Sequence, residues 1–117
     1  MKVLVHKFLQ IMSNYYIVLC NCTTLEEAKN IAHNLVSEKL CACVNLIPNH
    51  LSIYMWEGDL IEEQEIQLII KTTKSLYKPL EKRIVELHNY EVPEIIAINI
   101  EEAHPKYLQW IEDNITS

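Results

Sequence analysis

The residues from Tyr15 to Cys22 are apolar at nearly every position and are followed by Thr23-Thr24. A short run of β-forming residues with two apolar faces predicts a strand in the centre of a sheet. The chain then changes to helical spacing, which begins with the capping box Thr24-Leu25-Glu26-Glu27 and ends near Lys39. The apolar stripe of this predicted helix, at i, i+3, i+4, i+7 and i+8, consists of Ala28, Ile31, Ala32, Leu35 and Val36.

Two extended stretches follow, from Cys41 to Trp56 and from about Leu60 to Thr73. Proline cannot donate a ladder hydrogen bond, so Pro48-Asn49-His50 predicts a bulge or an edge position in the first stretch. Glu57-Gly58-Asp59 predicts a tight turn, since Gly58 can adopt the positive φ angle that hairpin turns require. The two stretches therefore form a long hairpin, and one face of its return strand carries Ile66, Leu68 and Ile70.

A second amphipathic helix is predicted from Ser75 to about His88-Asn89. Ser75 is assigned as its N-cap, and Pro79 is tolerated in the first turn, where backbone N–H groups lack helical partners. Beyond this helix the sequence predicts a fourth strand from Ile95 to Ile100 and a terminal helix that begins at Pro105. The apolar stripe of the second helix consists of Leu76, Leu80, Ile84 and Leu87.

This order of elements, β-α-β-β-α-β followed by one more helix, is that of the ferredoxin-like fold. The predicted class is α+β, a sandwich in which an antiparallel sheet carries both crossover helices on one face. We expect residues 15–117 to form this single domain and residues 1–14 to form an N-terminal extension.

The sheet face without helices is also predicted to be apolar. Both alternating faces of the first strand hold apolar residues, and the later strands add Ile69, Ile95 and Ala97 to the uncovered side. Monomers rarely expose an apolar patch of this size to water. We therefore predict a homo-oligomer that closes through the sheet.

Composition excludes several functions. The 117 residues include one glycine, Gly58, and both the P-loop and the G-x-G-x-x-G dinucleotide-binding turn need at least two glycines, so the sequence contains neither motif. A net charge of −6, with Arg83 as the single arginine, argues against nucleic acid as a partner. No apolar run reaches the roughly 18 residues of a membrane span, and no signal-peptide pattern is found. We expect a cytoplasmic protein with reduced cysteines.

Two C-x-C pairs, Cys20 with Cys22 and Cys41 with Cys43, are candidates for metal chemistry. Residues i and i+2 of a strand point to the same face about 7 Å apart, so each pair presents two thiols on one side. Soft thiolate sulfur suits Cu(I) or zinc. The competing interpretation is that Cys22, Cys41 and Cys43 are small hydrophobic side chains that fill strand positions.

His88 lies where the second helix ends and the chain turns back toward the sheet. Its two interpretations are a functional imidazole and a capping residue favoured by the helix dipole. Enzymatic activity is not expected, because the chain has no G-x-S-x-G elbow and no arginine-containing phosphate loop after the first strand; hydrolysis of acyl phosphates stays a minor alternative. Acidic residues crowd the predicted hairpin, where such a run is usually a solvated face: Glu57, Asp59, Glu62, Glu63 and Glu65.

Five motifs, in order over roughly residues 15–112, closely resemble those of the CutA family, the divalent-cation tolerance proteins. The resemblance implies a ferredoxin-like protomer that assembles as a homotrimer through its long strands. It also implies a role in tolerance of divalent metals, copper in particular, without enzymatic activity. Asn89, Asn99 and Ala103 depart from the residues usual in the family. The motifs are Glu38-Lys39-Leu40-Cys41-Ala42-Cys43-Val44-Asn45 with Pro48, Tyr54-Met55-Trp56-Glu57-Gly58, Lys71-Thr72-Thr73, His88-Asn89-Tyr90-Glu91-Val92-Pro93-Glu94 and Tyr107-Leu108-Gln109-Trp110.

The resemblance assigns metal-binding roles to Cys20, late in the first strand, and to His88. Glu65 matches an acidic position of the family and is assigned as an oxygen ligand or a support for the other two. We therefore expect a trimeric tolerance protein that weakly binds copper or another divalent cation. The alternative is a trimeric signalling or scaffold module that binds a small molecule or a partner protein in the clefts between subunits.

Overall fold

The computed structural model describes residues 14–116, in which the predicted elements follow one another in the predicted order. The strands form one antiparallel sheet in the order β2-β3-β1-β4, which confirms the α+β, ferredoxin-like class. The predicted extension lies outside the described residues, apart from Asn14. The elements are β1 (Tyr15–Cys22), α1 (Leu25–Ser37), β2 (Cys43–Trp56), β3 (Asp59–Thr73), a 3-10 helix (Lys74–Leu76), α2 (Tyr77–Leu87), β4 (Ile95–Asn99) and α3 (Pro105–Asp113).

The hydrophobic core lies between the sheet and helices α1 and α2. β1 occupies the predicted central position, since it pairs with both β3 and β4. Alternate residues of β1, such as Val18 and Cys20, are fully buried on the helix side. They pack in one cluster with residues of α1, β3 and α2, which include Ile31, Leu35, Leu68, Ile70, Leu80 and Ile84.

Helix α1 begins as predicted, but its capping glutamate makes different contacts. The Thr24 hydroxyl accepts a hydrogen bond from the Glu27 N–H at 3.1 Å. The Glu27 carboxylate accepts from the N–H groups of Thr23 at 3.4 Å and of Asn89 at 2.8 Å. Glu27 therefore joins the start of α1 to the end of β1 and to the segment after α2.

The predicted N-cap of α2 is wrong. Ser75 lies in the 3-10 helix, where its hydroxyl forms a hydrogen bond with the Thr73 hydroxyl at 3.1 Å. The N-cap is Leu76, which makes no side-chain capping bond. The chain tightens into a 3-10 turn directly after β3, so the α-helix starts later than the pattern indicated, with Pro79 still in its first turn.

The hairpin of β2 and β3 is long and protrudes from the rest of the chain. Its register shifts between Ile47 and His50, which confirms the irregularity predicted at Pro48. At the tip, Glu57 and Gly58 have φ angles of 48° and 87°, as in a type I′ turn. The radius of gyration is 16.1 Å, larger than the about 13 Å of a compact 100-residue domain.

Substitution of Gly58 by alanine is expected to destabilise the hairpin by about 1–2 kcal/mol, because L-residues are strained at positive φ. A Cβ at this position would meet nothing within 4 Å, so backbone strain alone causes the loss. Gly58→Asn is the matched variant, since asparagine tolerates this conformation, and should lose less stability. Urea unfolding at one protein concentration measures both, and equal losses would contradict the assignment.

The open face of the sheet is apolar, although not with all the predicted residues. The prediction that Ile95 and Ala97 lie on this face is wrong, because β4 pairs them with Cys20 and Val18, whose side chains face the helices. The neighbouring Ile96 and Ile98 occupy the open face instead, and each is 47% exposed. Ile69 pairs with Leu19 and lies on the open face as predicted.

Candidate functional site

The end of β1 and the residue after α2 bring three side chains of metal-ligand type together. Cys20 and Cys22 lie on the same face of β1 and are fully buried. The His88 side chain is also fully buried and reaches β1 from the end of α2. One ligand atom from each of the three lies within 4.8 Å of the other two. No other group of three Cys, His, Asp or Glu this close occurs among residues 14–116.

Hydrogen bonds fix the orientation of the His88 ring. Nε2 donates to the carbonyl oxygen of Asn21 at 2.6 Å and lies 3.9 Å from the Cys22 sulfur. Nδ1 accepts from the Tyr90 N–H at 3.0 Å. The backbone N–H of His88 also caps α2 by donating to the Ile84 carbonyl at 2.8 Å. His88 thus ends the helix and at the same time presents its imidazole to the two cysteines.

The ionisation of these groups follows from burial and close contact. A hydrogen bond with Cys20, together with burial, raises the pKa of the Cys22 thiol well above its ordinary value. Burial lowers the pKa of His88, but the Cys22 thiol, the Asn21 carbonyl and the Glu27 carboxylate raise it further than burial lowers it. Cys22 is therefore a protonated thiol at neutral pH, and a bound cation has to displace that proton.

Glu65 lies apart from the three clustered side chains. Its neighbour in β3, Ile66, pairs with Cys22, so strand alternation directs Glu65 to the opposite face. The Glu65 side chain is nearly buried, and its Oε2 accepts a hydrogen bond from the Tyr90 hydroxyl at 2.7 Å. The Tyr90 ring lies 4.8 Å from the His88 ring, so Glu65 connects to His88 through Tyr90.

The second C-x-C pair forms no such cluster. Cys41 is fully buried, Cys43 is half-buried, and the four cysteines are free thiols. Burial raises the pKa of Cys41 to about 12. These contacts agree with the interpretation of Cys41 as a small hydrophobic side chain, whereas Cys22 is both part of the core and part of the cluster.

A cavity of about 680 Å³ lies between the hairpin and the segment of residues 89–94. Asn21 and Tyr90 line it, and both also contact His88 through their backbone groups. The side-chain oxygen Oδ1 of Asn21 is buried without a hydrogen-bond partner. The cavity is therefore next to the cysteine and histidine cluster.

The sequence model of the family described as CutA1 divalent ion tolerance protein matches residues 16–114. The chain belongs to the CutA family. It is 44% identical over 98 residues to the divalent-cation tolerance protein CutA of Thermus thermophilus, and the match covers 84% of this chain and 95% of that protein. The solved Cut A1 structure from the same organism matches with a TM-score of 0.85 at 42% identity, covering 87% of this chain and 99% of that one.

Some CutA relatives are much longer than this chain. The chloroplastic CutA protein of Arabidopsis thaliana is 44% identical over 89 residues, which cover 76% of this chain but only 49% of that protein. Among residues 14–116 of the present CutA chain, no helix combines the length and apolar character needed to cross a bilayer.

The CutA structure adds three residues that the sequence pattern did not single out for the site. In the sequence, Asn21 is only the residue between Cys20 and Cys22. Glu27 is predicted only as a helix-capping residue. Tyr90 lies two positions after His88, and nothing in its spacing indicates a bond to Glu65. A signal for Cys22 did exist, because its i, i+2 relation to Cys20 places both thiols on one face.

Proposed function

We propose that this CutA chain is a homotrimer that weakly binds copper or another divalent cation and acts in cation tolerance without catalysing a reaction. The observation that carries the metal proposal is the cluster of Cys20, Cys22 and His88, with ligand atoms within 4.8 Å of one another. Two sulfurs and one imidazole nitrogen are soft or borderline ligands, which favour copper and zinc over magnesium or calcium.

The same contacts account for weak binding. A cation at this cluster has to displace the proton of Cys22, and His88 Nε2 has to give up its 2.6 Å hydrogen bond to Asn21. Both changes oppose binding. Cys20, Cys22 and His88 would hold the cation, and Tyr90 with Glu65 would orient the imidazole, since partners of a ligating histidine fix its ring and tautomer.

The trimer proposal is supported by apolar surface that one chain cannot cover. Ile96 and Ile98 are exposed on the open sheet face, and the protruding hairpin exposes Leu51, Ile53, Met55 and Leu60, each by more than half. Stable assemblies bury such patches between subunits. Association through the sheet face and the hairpin would cover both sets of residues.

A copper titration with the double variant Cys20→Ala/His88→Ala tests the metal proposal. The loss of two ligands is expected to weaken copper binding by at least about 10-fold to 100-fold, as measured by calorimetry under anaerobic conditions. The matched control is Cys43→Ala/His33→Ala, which removes one cysteine and one exposed histidine outside the cluster. If both double variants bind copper as the parent chain does, the cluster is not the copper site.

We also propose a cytoplasmic location, because four free thiols suit a reducing compartment. Fractionation of cells that express the chain measures this, and recovery outside the cytoplasm would contradict it. Turnover of an acyl phosphate by the purified protein would contradict the proposal that the chain is not an enzyme.

A further inference from the structure

We propose that Glu27 is a positioning residue for His88, and that its carboxylate holds the imidazole against the thiols of Cys20 and Cys22. Its use at a cation site rests on the proposed function, whereas its effect on the ring can be measured without added metal. The capping-box pattern does not indicate this role, because a capping glutamate is expected to bond only to the backbone at the start of its own helix.

The Glu27 carboxylate connects two segments that lie far apart in the sequence. Oε1 accepts a hydrogen bond from the Thr23 N–H at 3.4 Å, and Oε2 accepts one from the Asn89 N–H at 2.8 Å. Thr23 directly follows Cys22, and Asn89 directly follows His88. One side chain therefore fixes the end of the strand that carries the thiols relative to the segment that carries the imidazole.

Glu27 is buried, which makes its hydrogen bonds strong but its charge costly. Its side chain is 6% exposed, and the neighbouring His88 side chain is fully buried. Among residues 14–116, no lysine or arginine forms an ion pair with this carboxylate. Two N–H donors offset part of the lost hydration, but an apolar side chain would avoid that cost altogether. The carboxylate is therefore better explained by the groups it holds in place than by a gain in stability.

Nδ1 of His88 faces the same carboxylate and lies 4.0 Å from Glu27 Oε2. A backbone N–H can only donate, so the hydrogen bond from the Tyr90 N–H makes Nδ1 an acceptor and leaves the ring hydrogen on Nε2. An imidazole that offers Nε2 to a cation holds its ring hydrogen on Nδ1 instead, and a carboxylate commonly receives that hydrogen. Glu27 Oε2 is the carboxylate oxygen beside Nδ1, so the same side chain can support the ring in both tautomers.

Two measurements without added metal test the positioning role: the ring nitrogen chemical shifts of His88 and the hydrogen exchange of the Thr23 and Asn89 amides. Glu27→Gln keeps the side-chain shape but replaces one acceptor oxygen with an amide nitrogen that cannot accept. We expect exchange to become at least about 10-fold faster at one of the two amides. The ring should also show a mixture of tautomers in place of hydrogen on Nε2 alone. Copper affinity, measured by calorimetry, should fall about 10-fold.

Glu27→Asp is a second variant of the same contact. It keeps the charge on a side chain that is one methylene shorter, so it cannot reach both N–H groups. Amide exchange and the tautomer mixture should change in the same direction as in Glu27→Gln. Glu27→Asp also gives an independent result if Glu27→Gln does not fold.

Two control variants separate positioning from helix stability and from general charge effects. Thr24→Ala removes the hydroxyl that accepts the Glu27 N–H at 3.1 Å, so it weakens the cap of α1 and leaves the carboxylate in place. Glu26→Gln removes the charge of an exposed neighbour in the same helical turn. Both controls should keep the ring shifts, the Asn89 amide exchange and the copper affinity of the parent chain.

The possible results distinguish this role from the metal proposal. Unchanged ring shifts and amide exchange in both Glu27 variants would show that the carboxylate does not position His88. Equal changes in Thr24→Ala and Glu27→Gln would assign the effect to the stability of α1 and refute positioning. Altered ring shifts with unchanged copper affinity would exclude Glu27 from the cation site. A parent chain that binds no copper would refute the metal proposal, while altered ring shifts in Glu27→Gln would still establish the positioning of His88.

Discussion

Replacement of Ile98 by glutamate is expected to reduce the mass of the particle in solution from three chains to one. Ile98 is 47% exposed in the single chain and lies opposite Ile17 on the open face of the sheet. If subunits meet through this face, the introduced carboxylate loses its water without gaining a partner, which costs several kcal/mol. Light scattering at micromolar protein concentration measures the mass of the parent chain and of the variant.

Val85→Glu is the control for this substitution. Val85 is 53% exposed on α2, on the helix side of the sandwich. Val85→Glu introduces the same side chain as Ile98→Glu, with the same size and charge. Val85→Glu should keep the mass of three chains. A parent protein of one chain mass would refute the trimer, and an Ile98→Glu protein of three chain masses would place the interface elsewhere.

Leu68→Ala is expected to lower the free energy of unfolding by about 2–5 kcal/mol, because it leaves a cavity in a core that is already close-packed. Leu68 is fully buried in β3, opposite Cys20 of β1 and Leu46 of β2. It belongs to the cluster that joins the sheet to α1 and α2. Urea unfolding followed by circular dichroism measures the loss.

Leu25→Ala is the matched control, since it makes the same chemical change at a position 47% exposed at the start of α1. A surface change of this kind is expected to alter stability by no more than about 0.5 kcal/mol. Both variants should be compared at one protein concentration, because association contributes to apparent stability. A similar loss in the two variants would contradict the position of Leu68 in the core.

Much of the fold could be predicted because its signals are local. The spacing of apolar residues from Ala28 to Val36 matches only an α-helix. The run of β-forming residues from Tyr15 to Cys22 matches only a strand. Gly58 marks the hairpin tip for the same reason, since a type I′ turn needs positive φ. The error at Ser75 is also local: a serine before an apolar stripe is a common N-cap, but here its hydroxyl bonds to Thr73.

The candidate site was only partly predictable. Cys20 and His88 were assigned through the family resemblance, and the structure brings them together with Cys22. Glu65 was assigned with them, but its side chain lies on the opposite face of the sheet, where it accepts a hydrogen bond from Tyr90.

The sequence by itself determined the order of the elements, the hairpin turn and the common face of Cys20 and Cys22, because each depends on residues a few positions apart. Only the tertiary structure decided that His88 donates to Asn21, 67 positions earlier, and that Tyr90 donates to Glu65, 25 positions earlier. It also decided that Asn21 lines a cavity and that its Oδ1 is buried without a hydrogen-bond partner. Such contacts depend on how helices pack on a twisted sheet, and no periodicity along the chain encodes that packing.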